Sequence, residues 1–173
     1  MRGGSIHDGS TSGGSASAGT ALAARIAERR AGWGDPRALV GELRRALVLV
    51  PLDGGGLWTG ESGGVRWVFG FTDEAALARF ARARDTGDGR DTGRAWEFAE
   101  LRGARLLDEI VPAMGVPGGV AINVADADGS MLFPPVVGIV PDAVAVDAVD
   151  AVDAVDAVDV ATARTVVPRQ ERA

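Results

Sequence analysis

The side chains best placed to do chemistry sit together at Asp126-Ala127-Asp128-Gly129-Ser130, directly after the strand-like segment Val120–Ala125. Two carboxylates one residue apart can exchange protons when their environments push their pKa values in opposite directions. The same spacing, with Ser130 as a third oxygen, mimics the start of a calcium-binding loop. Such a loop needs Gly at its sixth position and Glu at its twelfth. Met131 and Val137 stand there instead, so that pattern fails. Asp and Gly are also what a tight hairpin turn requires, and a hairpin tip accounts for all five residues.

What the chain lacks excludes much else. Its 173 residues include no Cys and no Lys; His7 is the only His, Asn123 the only Asn and Gln170 the only Gln. There is no disulfide, no thiolate nucleophile or thiolate metal site, no Schiff base and no phosphate-loop lysine. A Ser–His–Asp triad would depend on His7, inside a Gly/Ser-rich leader. Gly54-Gly55-Gly56 follows a strand as a phosphate cradle would, but without a following helix it reads as a turn. The pairs Asp73/Glu74 and Asp108/Glu109 fall on solvated helix faces. No metal site and no cofactor is expected.

A strand followed by Asp-x-Asp-Gly-Ser resembles the first motif of haloacid-dehalogenase-type phosphatases. The resemblance implies Asp126 as nucleophile and Asp128 as acid/base. That family also needs a later Lys or Arg followed by acidic metal ligands, and a helix after the strand. Met131-Leu132-Phe133-Pro134-Pro135 does not start a helix. A carboxylate- or metal-dependent phosphohydrolase at the Asp126-x-Asp128 turn is therefore the alternative reading.

The elements around these residues are legible from patterning. Thr20 is expected to cap a short helix with Leu22 and Ile26 on one face. Asp35-Pro36 starts a second, with Leu39, Leu43 and Ala46 inward. Leu47–Leu52 is apolar on both faces and reads as a buried central strand. Leu57–Thr59 and Val65–Phe71 form a hairpin in which Val65, Trp67, Phe69 and Phe71 share a side, with Arg66 and Val68 opposite. Thr72-Asp73-Glu74 opens a helix with Leu77, Phe80 and Ala81 inward, and Asp85–Arg94 is a polar loop. A strand at Ala95–Leu101 and a helix at Arg102–Val111, stopped by Pro112, come next. Gly118-Gly119 then lead to a strand at Val120–Ala125, the Asp126–Gly129 turn and a strand at Met131–Val140 kinked at its prolines. The order α-α-β-β-β-α-β-α-β-β predicts an α/β (α+β) fold: a mixed β-sheet of about five strands with helices packed on it.

Three segments follow: a disordered Gly/Ser-rich leader over 1–19, a folded domain over 20–141 and a low-complexity tail over 142–173. Residues 145–159 are five Ala-Val-Asp triplets. In a helix their Asp positions precess by about 60° per triplet, leaving no apolar face; in a strand they alternate sides. Six Asp and no basic residue fall within 141–160, leaving 18 acids against 18 arginines elsewhere and a near-neutral body. No nucleic-acid footprint results. No run is long and apolar enough to span a bilayer or act as a secretory signal. Absence of cysteine fits a reducing compartment, so a cytoplasmic location is expected. Among the four tryptophans, Trp67 and Trp96 read as core. Trp33 and Trp58 lie beside Gly or short turns and, with Arg66, are the candidate partner-binding residues.

From Leu39 to Val146 the chain resembles the N-terminal domain of the enhanced-serine-sensitivity (SseB) family, in its actinobacterial branch. LRRALVLVPL (43–52), VRWVFGFTDEAALARFARA (65–83) and VPGGVAINVADADGSMLFPPVVGIVP (116–141) carry the resemblance. It implies an α/β domain with no established catalytic residues, so none is carried over. The expectation is a non-enzymatic domain acting by protein–protein interaction on an unidentified protein partner, with no nucleic acid and no membrane. A small-ligand sensor of amino acids is a further alternative, suggested by the family's name. The oligomeric state is left open.

Overall fold

The computed structural model describes residues 13–87 and 96–147. Helix α1 runs Gly13–Arg30. It begins before Thr20, so Thr20 is an exposed position inside a helix and not its cap. Leu22 and Ile26, one turn apart, are both fully buried. Helix α2, Pro36–Arg45, starts as its Asp-Pro pair dictates: the Asp35 carboxylate accepts the Arg37 N–H at 2.9 Å. Its Leu39 and Leu43 are buried, and Arg44 and Arg45 close it at the negative end of the dipole.

Strand β1 (Leu47–Asp53) lies at the centre of the sheet structure. On one side it pairs antiparallel with β5 (Phe98–Arg102), from Leu47 opposite Arg102 to Pro51 opposite Phe98. A two-residue turn at Gly54-Gly55 brings β2 (Gly56–Leu57) back onto its end. The chain then crosses at Trp58 to β3 (Thr59–Ser62), which pairs with β4 (Val65–Gly70). A parallel pairing joins β4 to β6 (Gly118–Ile122), and β7 (Met131–Phe133) completes this second sheet, in the order β3-β4-β6-β7. Reciprocal bonds between Leu49 and Phe71, at 2.8 and 2.9 Å, stitch the three- and four-stranded sheets together. The fold is α+β.

Each face of this layer carries its own core. Val48, Val50, Val68, Val120 and Ile122 pack with α1, α2 and the helix after β5. On the other side Leu49, Trp67, Phe69, Phe71 and Ala121 pack with Ala76, Leu77 and Phe80 of α3 (Glu74–Gly87). Strand β1 feeds both, which is why it is apolar at every position from Leu47 to Leu52.

Other local expectations change as well. The hairpin arm expected at Leu57–Thr59 lies at Thr59–Ser62, because Leu57 pairs with Leu52 of β1. Residues 85–87 continue α3, whereas 88–94 of the expected loop lie outside the described residues. Pro112 does not stop its helix, which runs as α4 (Gly103–Arg105), a wide π turn (Leu106–Ile110) and α5 (Val111–Ala113). Val111 N–H bonds the Leu106 carbonyl five residues back. This wider turn relieves the clash between a proline ring and the carbonyl of a regular helix. Strand β6 includes Gly118 and Gly119 and ends at Ile122, while β7 ends at Phe133, before Pro134. Beyond Pro141, a short 3₁₀ turn (Asp142–Val144) leads to Ala145, packed on the first core, and Val146 N–H bonds the Pro135 carbonyl at 2.7 Å. The packed body therefore runs past Pro141; the triplets after Asp147 lie outside the described residues, as do residues 1–12 of the leader.

Candidate functional site

The parallel strands β4 and β6 end side by side, and the residues just past them build a connected polar assembly. Asn123 follows β6 with φ 51°, a backbone setting that Asn tolerates better than most residues. Its Oδ1 accepts the Thr72 N–H at 3.1 Å, and its Nδ2 donates to Thr72 Oγ1 at 3.0 Å. The Thr72 hydroxyl donates on to Asp73 Oδ2 at 3.2 Å, and Asp73 Oδ1 accepts Ala76 N–H at 2.8 Å, capping α3. Thr72 and Asn123 are both buried. Gly19 of α1 lies directly on the Thr72 carbonyl, where a side chain would not fit. Helix α1 thus lies close against the backbone just past the end of β4.

The loop beyond Asn123 is tied down at its rim. Asp126 lies four residues past the end of β6, and its Oδ2 receives Arg79 Nη2 of α3 at 2.6 Å. Arg30, at the end of α1, donates to the carbonyls of Ala127 (2.6 Å) and Ser130 (3.2 Å). Asp128 is exposed. Of the two carboxylates, Asp126 is engaged by a guanidinium and Asp128 belongs to an exposed residue. Their loop joins the antiparallel strands β6 and β7, so it is a hairpin connection, longer than a tight turn. Chemically, the arrangement fastens α1 and α3 to the loop. A cation in place of Arg79 would have to displace a charge-assisted bond.

Other acidic candidates are also engaged. Asp73 caps α3, Asp108 pairs with Arg44 at 2.6 Å, and Glu109 stands 3.4 Å from Arg105. Among the described residues, no three His, Cys, Asp or Glu side chains are grouped to hold a metal ion. No helix there is long and apolar enough to cross a membrane. Gly54-Gly55 form the β1–β2 turn, and His7 is outside the described residues.

The three candidate partner-binding residues do not share a surface. Trp58 is half-buried on the α3 side, its ring 4.8 Å from Trp96 and edge-on to Phe80, with the Arg84 guanidinium over it at 5.4 Å. Arg66 faces the opposite side of β4, beside its cross-strand partner Glu61 and next to the start of β6. Trp33 stands on the α1–α2 turn, three residues from Arg30, which reaches the loop at the other end of β6.

Trp33 is 62% exposed, while Trp67 is 1% exposed. Its turn is set by the backbone. Gly32 and Gly34 have φ of 86° and 95°, which side chains resist, and Trp33 N–H bonds the Glu28 carbonyl at 3.3 Å. Asp35 then caps α2 at once. The indole is thus presented on a defined support between two packed helices. Composition pointed to Trp33; the Asn123–Thr72–Asp73 chain was missed, although a lone Asn after a buried strand was its available signal.

Comparison of the chain with protein-family models, curated proteins and solved structures finds no match.

Proposed function

We propose that the chain is an SseB-like α+β domain that works in the cytoplasm, without catalysis of its own, by holding a protein partner at the Trp33 turn. The single observation that carries this is the exposed indole on a turn whose backbone is fixed by two positive-φ glycines and a helix cap. A large rigid aromatic loses little entropy on binding and buries much apolar area, and arginine is its frequent neighbour in binding hot spots. Arg29, Arg30 and Arg37 lie within four residues of it and are exposed. The succession of two helices, buried strand, hairpin, Phe-Thr-Asp helix start and Ala-Ile-Asn strand supports the family reading.

The test compares immobilised wild-type chain with Trp33→Ser in the same cell extract. A protein retained by the wild type and lost by the variant, with unfolding unchanged, is the expected result. Equal retention by both removes Trp33 from the reading, and no specific retention by either removes the reading itself.

A further inference from the structure

Strand β5 is hydrogen-bonded on one side only among the described residues, and the pattern shows which groups point outward. Leu52 N–H bonds the Glu97 carbonyl and Gly103 N–H bonds the Ala46 carbonyl, so odd-numbered positions of this run turn toward β1. From β1 the view agrees. Leu49, opposite Glu100, spends its N–H and carbonyl on Phe71 at its other edge. Phe98, Glu100 and Arg102 therefore aim backbone N–H and carbonyl groups away from the sheet. The Glu100 and Arg102 side chains are exposed. An open edge of this kind is a template for another strand.

We propose that this edge pairs with the same edge of a second copy of the chain, antiparallel about a two-fold axis passing by Leu101. Charge selects this register. An axis at Glu100 would set Glu100 against its own copy, and like charges directly opposite are destabilising. An axis at Leu101 sets Glu100 against the second copy's Arg102, twice over, with the outward backbone groups of both residues paired. Phe98 and Leu101, both half-buried in the single chain, border the seam on its two faces. The pairing does not involve Trp33, so its failure leaves the partner reading standing.

The experiment is sedimentation velocity of the full chain across a wide concentration range. The wild type is expected to show a concentration-dependent dimer. Glu100→Arg, which sets arginines against each other, is expected to weaken it roughly tenfold or more. Glu100→Pro removes an outward N–H and leaves the β1 pairing intact, and is expected to abolish it. The exchanged variant Glu100→Arg/Arg102→Glu is expected to restore it. Arg102 also donates to the Arg45 carbonyl, so unchanged thermal unfolding of the exchanged variant is the control. A wild type that stays monomeric overturns the proposal. So does a dimer indifferent to both Glu100 variants, or one that forms only after residues 148–173 are removed, which would make the tail the edge's occupant.

Discussion

Asn123 holds Thr72 at two points, accepting its backbone N–H and donating to its hydroxyl, across 51 residues of sequence. The pair fixes the end of β6 to the end of β4, and through Asp73 it reaches the first turn of α3. Thr72 and Asn123 are buried, where a donor left without an acceptor costs about 1–3 kcal/mol. Asn123→Ala strands the Thr72 N–H and places a residue with a Cβ but no compensating side-chain bond at φ 51°. The expected loss is about 3 kcal/mol, read from urea unfolding followed by tryptophan fluorescence. Asn123→Gly accepts the backbone setting and loses only the side-chain bonds. It should be milder than Asn123→Ala; equal losses would assign the whole effect to the hydrogen bonds.

The Arg79–Asp126 bond is short, yet both side chains keep substantial contact with water. Exposed pairs of this kind contribute about 0.2–1 kcal/mol. A double-mutant cycle with Arg79→Ala and Asp126→Ala should give a coupling in that range, shrinking as salt is added. The same carboxylate is the nucleophile that the phosphohydrolase alternative requires. With Arg79 on it and Asp128 turned to solvent, wild type and Asp126→Asn should release phosphate from an aryl phosphate at the same background rate with magnesium present. Activity in the wild type that the variant lacks would revive that alternative.

How much was legible depended on whether a residue's role was local. Strand β1 declared itself because Leu47–Leu52 is apolar at every position, and β4 because Val65, Trp67, Phe69 and Phe71 alternate. Helix α2 was marked by Asp35-Pro36. The start of α1 at Gly13 was not legible, since a Gly/Ser run has poor helix propensity and no apolar period. Pro112 normally ends a helix; here a π turn admits it, with Leu106, Leu107 and Val111 all in the first core. The roles of Arg30, Arg79 and Asn123 were hidden because their partners lie 47 to 100 residues away.

Phe80 and Trp33 make a contrasting pair of deletions. Phe80 is fully buried and its ring meets Trp58, Phe69, Phe71 and Trp96 at centroid distances of 5.1–6.3 Å. Phe80→Ala should cost about 3–5 kcal/mol, a large share of what a domain this size possesses. Trp33→Ala should move stability by no more than about 0.5 kcal/mol, since its ring is mostly in water already. Acrylamide quenching separates the two environments: loss of Trp33 should remove the most accessible part of the emission.

Gly119 is the position where the second core tolerates no addition. It pairs with Trp67 across the parallel ladder, and the Trp67 ring lies over it. A Cβ there would stand 2.7 Å from Trp67 Cζ3 and 2.7 Å from the Phe133 carbonyl oxygen. The ring is wedged at 1% exposure and the carbonyl belongs to the neighbouring strand, so neither yields cheaply. Overpacking of this kind costs about 1–3 kcal/mol, more than the 0.5–1 kcal/mol or so that alanine regains over glycine in a strand. Gly119→Ala should therefore destabilise the chain by about 2 kcal/mol. In a Trp67→Leu background the ring half of the clash is gone, so the same substitution should cost less than half as much. An equal cost in both backgrounds would place the clash on the Phe133 carbonyl alone and free Trp67 from the argument.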